Sequence, residues 1–128
     1  MLETMQAEID QTEYWDANIL DFYSSFFGDE VTLLIYNDAD TSWKISFLVC
    51  YQVTYETDAV WRTIDHVRDM RKPQLGYYGQ DITLSESRAC KGFYHVSIDL
   101  AVLTAKIICK EIRVEQVPNQ SLHVPCGN

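Results

Sequence analysis

The chain has 128 residues, 47% of them hydrophobic, 12% aromatic and 23% charged, with a formal net charge of −9. That length and apolar share suit a single globular domain over residues 1–128, able to bury roughly two-thirds of its unfolded surface, and they exclude disorder. An acidic balance of this size disfavours DNA, RNA and anionic membranes as partners, and no apolar run approaches the ~20 residues that a membrane helix needs.

The first residues are acidic and polar, with neither the basic start nor the apolar centre of a signal peptide, so a cytoplasmic protein is expected. Leu2, Met5 and Ile9 fall at near-helical spacing and predict a short helix over 2–10. Residues 14–22 read as a strand, with Trp15, Ala17 and Ile19 alternating against Asp16 and Asn18. A turn around Gly28-Asp29 follows, then a second strand over 30–36 that puts Val31, Leu33 and Ile35 on one face and Thr32 and Leu34 on the other. The polar stretch 37–42 closes an antiparallel hairpin into the longest strand of the chain.

That strand, residues 43–55, places Trp43, Ile45, Phe47, Val49, Tyr51, Val53 and Tyr55 on one unbroken apolar face. At ~3.3 Å per residue it would run ~40 Å, about twice the usual strand, so it must bend, bulge or serve two sheets. Leu48 and Cys50, on its other face, ask for a cover. The period then changes: Val60, Ile64 and Val67, flanked by Trp61 and Met70, lie opposite Arg62, Asp65, Arg68 and Asp69. This predicts an amphipathic helix over 59–71, started by Asp58, favoured at its end by Arg68, Arg71 and Lys72, and stopped by Pro73. Such a helix would supply the cover.

Gly76 and Gly79 bracket Tyr77-Tyr78 in a loop or short edge strand, with pairing extended over 81–84, and 85–92 reads as a loop. Residues 93–100 alternate Tyr94, Val96, Ile98 and Leu100 inward, and 105–117 form the last long strand, closed by Pro118. Pairing Ile98 with Ile107 sets Val96 beside Cys109 and Asp99 beside Lys106. The fold expected is mainly β, a curved antiparallel sheet or β-sandwich of about six strands with one packed helix. The alternative is an α+β arrangement, a helix on a single antiparallel sheet. Strand order and oligomeric state are open at this level, homo-oligomers included.

Catalytic signatures fail on inspection. Asp38, Asp40 and Ser42 begin like a calcium loop, but Trp43 and Val49 stand where that loop needs Gly and Glu. His95, Ser97 and Asp99 share a strand face at steps of ~6.6 Å, and Ser97 lies between the two groups that would have to touch. His66 belongs to the expected helix and His123 to the tail. Cys50, Cys90, Cys109 and Cys126 have no C-x-x-C spacing and are read as reduced thiols, with a disulfide the less favoured reading. There is no phosphate loop, zinc-protease motif or nucleophile elbow, so neither cofactor nor metal is expected.

Charge has a shape along the chain. Residues 1–60 hold twelve acids and one base, Lys44, a balance of −11, whereas 61–128 hold seven acids and nine bases, a balance of +2, which together make the net −9. Asp16, Asp21, Asp38 and Asp40 are the candidate docking residues for a basic protein partner, Asp16 from the outer face of its strand and Asp38 and Asp40 from the neighbouring hairpin. The competing reading is that these acids guard an edge strand against aggregation. Tyr14, Tyr23, Tyr36, Tyr77 and Tyr78 sit at strand ends and loops, as contact aromatics or as lids on the core.

The segments Tyr14-Trp15-Asp16-Ala17-Asn18-Ile19, Val31-Thr32-Leu33-Leu34-Ile35 and Trp43-Lys44-Ile45-Ser46-Phe47, with the closing strand 107–115, resemble a group of small bacterial β-rich proteins. Some of that group are classed as immunity proteins of polymorphic toxin systems. Their Asp-Ala-x-Ile segment often follows a His, where this chain has Trp15. The resemblance implies a toxin-neutralising binder without catalysis and carries over no binding residues. The function expected is a non-catalytic protein-binding module. The alternative is a small enzyme or ligand-binding protein with its site near Tyr77-Tyr78.

Overall fold

Alternating apolar positions fold as strands almost throughout. The computed structural model describes residues 2–61, 66–71 and 75–122. Helix α1 (Leu2–Asp10) precedes strands β1 (Ile19–Ser25), β2 (Glu30–Tyr36), β3 (Thr41–Thr57), β4 (Tyr77–Glu86), β5 (Tyr94–Ala101) and β6 (Leu103–Pro118). All neighbours pair antiparallel in one sheet of order β1-β2-β3-β6-β5-β4. The mainly β fold with about six strands and one packed helix is therefore the observed one.

The sheet curls on itself. Its two outermost strands meet at one end, where Asn18 bridges Tyr78, the Asp16 N–H donates to Gly79 O at 2.7 Å and the Gly79 N–H to Ala17 O at 3.0 Å. Across the more open side, the Phe22 ring meets the Tyr55 ring edge-on at 5.5 Å. The concave face holds the core: Val31, Leu33, Ile35, Ile45, Phe47, Ile82, Val96, Ile98, Leu100 and Ile107 are all buried. Helix α1 lays Met5 and Ile9 into it. Gln6 of α1 also completes the β4 backbone, donating to Ile82 O at 2.8 Å and accepting the Leu84 N–H at 2.8 Å.

Curvature is what breaks the long face expected of β3. Ile45 and Phe47 point inward, but Val49 takes φ 55 and the register against β6 shifts between Cys50 and Gln52. Cys50 thus turns toward the core opposite Cys109, while Val49, Tyr51 and Tyr55 are exposed. The partner strand changes face at the same level, since both Cys109 and Ile112 are buried. A strand this long cannot stay regular around a small core, and a bulge supplies the extra bend and twist. Cys50 needs no external cover because it is no longer on the outer face.

Three further expectations are corrected. The continuous helix over 59–71 is replaced by short 3-10 turns at Ala59–Trp61 and Val67–Asp69, with His66 and Met70 extended between and after them. Residues 62–65 and 72–74, with Ile64 and Pro73, lie outside the described residues. Val60 and Val67 are exposed, so their helical spacing has no apolar face to dock on, and a short helix draws its stability from such docking. Asp58, expected to start that helix, donates its N–H to Val102 O at 2.8 Å. Among the described residues the one packed helix is α1.

Second, β1 begins at Ile19, because residues 14–17 form a turn, with Ala17 N–H donating to Tyr14 O at 3.0 Å and Asp16 at φ 62. Tyr14 is consequently the buried aromatic and Trp15 the exposed one. Third, β5 pairs with β6 two residues from the expected register: Val96 faces Ile107, Ile98 faces Ala105 and Ser97 faces Lys106. A shift of two preserves every face, and the tight turn made possible by Ala101 at φ 72 selects it.

Candidate functional site

The four candidate acids are positioned by different local devices. Asp16 sits in the left-handed turn before β1, its carboxylate 3.4 Å from Gln80 Nε2. It is therefore presented by a turn and not by the outer face of a strand. Two residues on, Asn18 O accepts the Tyr36 N–H at 2.9 Å, which sets this turn beside the end of β2 and the hairpin that follows. Asp21 lies on the convex face of β1 opposite Leu34, half-buried, and accepts the Phe22 N–H at 2.9 Å.

Asp38 organises the β2–β3 hairpin. Its Oδ1 accepts the N–H groups of Asp40 at 2.9 Å and Thr41 at 2.7 Å, and the Thr41 hydroxyl at 3.0 Å. Those bonds favour the charged form and hold its carboxyl below the usual carboxylate range. From the far end of β6, Asn119 donates through its side chain to Asp38 O and Ala39 O, and through its backbone to Asp40 O at 2.8 Å. The hairpin carrying Asp38 and Asp40 is thus held in one shape.

Around these acids lie exposed aromatics. Trp15 stacks on buried Tyr14 with centroids 4.3 Å apart, and Tyr36 and Tyr78 flank Asn18 through its pairing with both. Exposed Trp and Tyr thus stand beside Asp16 and next to the hairpin that carries Asp38 and Asp40. Sequence patterning had reversed the roles of Tyr14 and Trp15. The available signal was the phenol, since a buried Tyr needs a partner; here its oxygen accepts the Ile82 N–H at 3.1 Å and donates to Ile82 O at 3.3 Å.

The alternative site near Tyr77-Tyr78 corresponds to a cleft lined by Ile19, Phe22, Tyr55, Tyr77, Leu100 and Leu103, with a volume of about 220 Å³. Small-molecule sites usually enclose ~300–1,000 Å³. Among the described residues no group of His, Cys, Asp and Glu is placed to hold a metal ion. His95 lies with Nδ1 at 3.5 Å from Ser85 Oγ, and the Asp99 carboxylate accepts the Ala101 N–H, so His95, Ser97 and Asp99 do not assemble as a triad. His66 is exposed, and His123 and Cys126 lie outside the described residues. Cys50, Cys90 and Cys109 are free thiols. Burial pushes the Cys50 thiol up to about 11 and the Cys109 thiol up to about 12, which makes both poor nucleophiles.

Sequence reasoning also passed over Phe26 and Phe27, which lie exposed in the β1–β2 turn. Among the described residues no helix is long and apolar enough to cross a membrane.

The family model described as "Immunity protein PIM7" matches residues 1–116. In three dimensions the chain is similar to an uncharacterized protein from Neisseria gonorrhoeae, with a TM-score of 0.53 and 15% identity over 80% of this chain and 92% of that one. At that identity the likeness is one of fold. No curated protein matches the chain.

Proposed function

The chain belongs to the immunity protein PIM7 family, and from that premise we propose that it neutralises a toxin by binding it in the cytoplasm, without chemistry of its own. The match over residues 1–116 is the observation that carries this reading, because it takes in α1, every strand from β1 to β5 and nearly all of β6. A binder needs a firm, complementary surface and not a reaction centre. The acids Asp16, Asp21, Asp38 and Asp40, with Trp15, Tyr36 and Tyr78 among them, are proposed as part of that surface. They face a basic toxin, whose positive charge would be steered toward the −11 carried by residues 1–60. A reducing cytoplasm suits thiols such as Cys50 and Cys109, which stand opposed and unjoined.

The test is co-expression with a toxin, sought first among the genes beside this one. Growth should be restored, and a purified, catalytically inactive form of that toxin should make a stoichiometric complex with this chain. A folded chain that neither protects nor binds would overturn the reading.

A further inference from the structure

The β1–β2 turn is built against its own backbone preferences. Phe26 and Phe27 occupy consecutive left-handed positions, φ 55 and φ 61, followed by Gly28 at φ 99. Hairpin turns with positive φ at successive residues favour Asn, Asp and Gly, and an aromatic there is strained. Neither ring repays the strain by burial: Phe26 is 67% exposed and Phe27 fully so.

A second irregularity faces the same place. The Cys50 N–H donates to Asp29 O at 3.0 Å, tying the turn to the bulged part of β3. There Val49, a β-branched residue, takes φ 55, and both Val49 and Tyr51 are exposed. Among the described residues, those at positive φ other than Gly are Glu13, Asp16, Phe26, Phe27, Val49 and Ala101, so half of them converge on this patch. Bulges and strained turns re-aim side chains and gather at functional sites. Here they hold four apolar groups out to solvent that a hairpin of lower energy would not present.

We infer that Phe26 and Phe27, flanked by Val49 and Tyr51, form the apolar anchor that inserts into the toxin. The inference rests on the immunity reading and adds to it the second half of the contact. Charge selects the occupant. Asp29 and Glu30 adjoin the anchor within the acidic first half of the chain, so a second copy would meet like charge, whereas a basic toxin with an apolar pocket meets both features. The tip and the Asp38–Asp40 end lie at opposite ends of seven-residue strands, ~20 Å apart at the rise of a strand. A standard interface of ~800 Å² per partner spans that distance, so one toxin can cover both.

The double substitution Phe26→Asn with Phe27→Gly separates binding from folding, because it installs the residues the turn prefers. The melting temperature should hold or rise, while the affinity for the inactive toxin falls at least 100-fold. Phe27→Asn alone, the milder change, should weaken binding at least 10-fold. Hydrogen exchange at residues 26–29 and 49–51 should slow in the wild-type complex. Wild-type binding with unchanged affinity in both variants would place the tip outside the interface and leave the immunity reading standing. Failure of the wild-type chain to bind would overturn both.

Discussion

Tyr14 shows how one hydroxyl closes a curved sheet. Its oxygen accepts the Ile82 N–H and donates to Ile82 O, so the 14–17 turn is fastened to β4 through a buried group. Tyr14→Phe keeps the ring and strands that N–H, which should cost about 1–3 kcal/mol in a urea melt with an unchanged slope. The thiols of Cys50 and Cys109 lead to a pH prediction. Unfolded, each titrates near 9.0; folded, they stay protonated up to about 11 and about 12. As pH rises the unfolded chain loses protons first, so their contribution to stability is intact below pH 9 and is lost as pH climbs through the folded values. Replacing both by Ala should therefore reduce the loss of stability between pH 8 and pH ~11. Equal losses in wild type and variant would refute the assignment.

At the scale of elements, β3 joins the halves of the molecule, pairing with β2 along its first part and with β6 along nearly all its length. Phe47, fully buried and the last inward position before Val49, should cost about 3–5 kcal/mol when changed to Ala; an unaltered melting temperature would mean the concave face is not the core. Sheet closure has its own single point of failure. A Cβ on Gly79 would lie 2.1 Å from the Tyr14 carbonyl oxygen, so the two backbones can approach only with Gly there. Gly79→Ala should destabilise by about 1–3 kcal/mol, as overpacking does, and speed exchange of the Asp16 and Gly79 amides. The isolated Gly in a strand pattern was a legible hint of close approach, but what approached it was not.

For the whole molecule, the proposed docking rests on the uneven charge, twelve acids and one base over residues 1–60. Acids that do nothing locally still sum to a potential that draws a basic partner, and salt screens it over ~8–10 Å. Asp38 is unsuitable for testing this, because its carboxylate holds the hairpin together. Asp16 and Asp40 are the better pair. Reversing both to Lys should slow association with the toxin and flatten its dependence on ionic strength, with dissociation less affected. Unchanged association rates would move the docking surface elsewhere.

The sequence by itself determined the class of fold, the strand 30–36 to the residue and the strand 93–100 to within one residue at each end, the inward faces of Val31, Leu33 and Ile35 and of Val96, Ile98 and Leu100, and the uneven charge. All of these follow from a period of two or from simple counting. It also carried a resemblance to immunity proteins that the family match supports. Tertiary structure alone decided the strand order, the bulge that turns Cys50 inward and Tyr51 outward, the burial of Tyr14 in place of Trp15, and the loss of a helix across His66 and Met70. Each depends on how tightly the sheet must curl around its core and on which apolar surface is already taken by α1, and neither is written in the spacing of neighbouring residues. The exposed Phe26 and Phe27 belong to the same group, since only the positive φ of the turn shows that they are held outward against its preference.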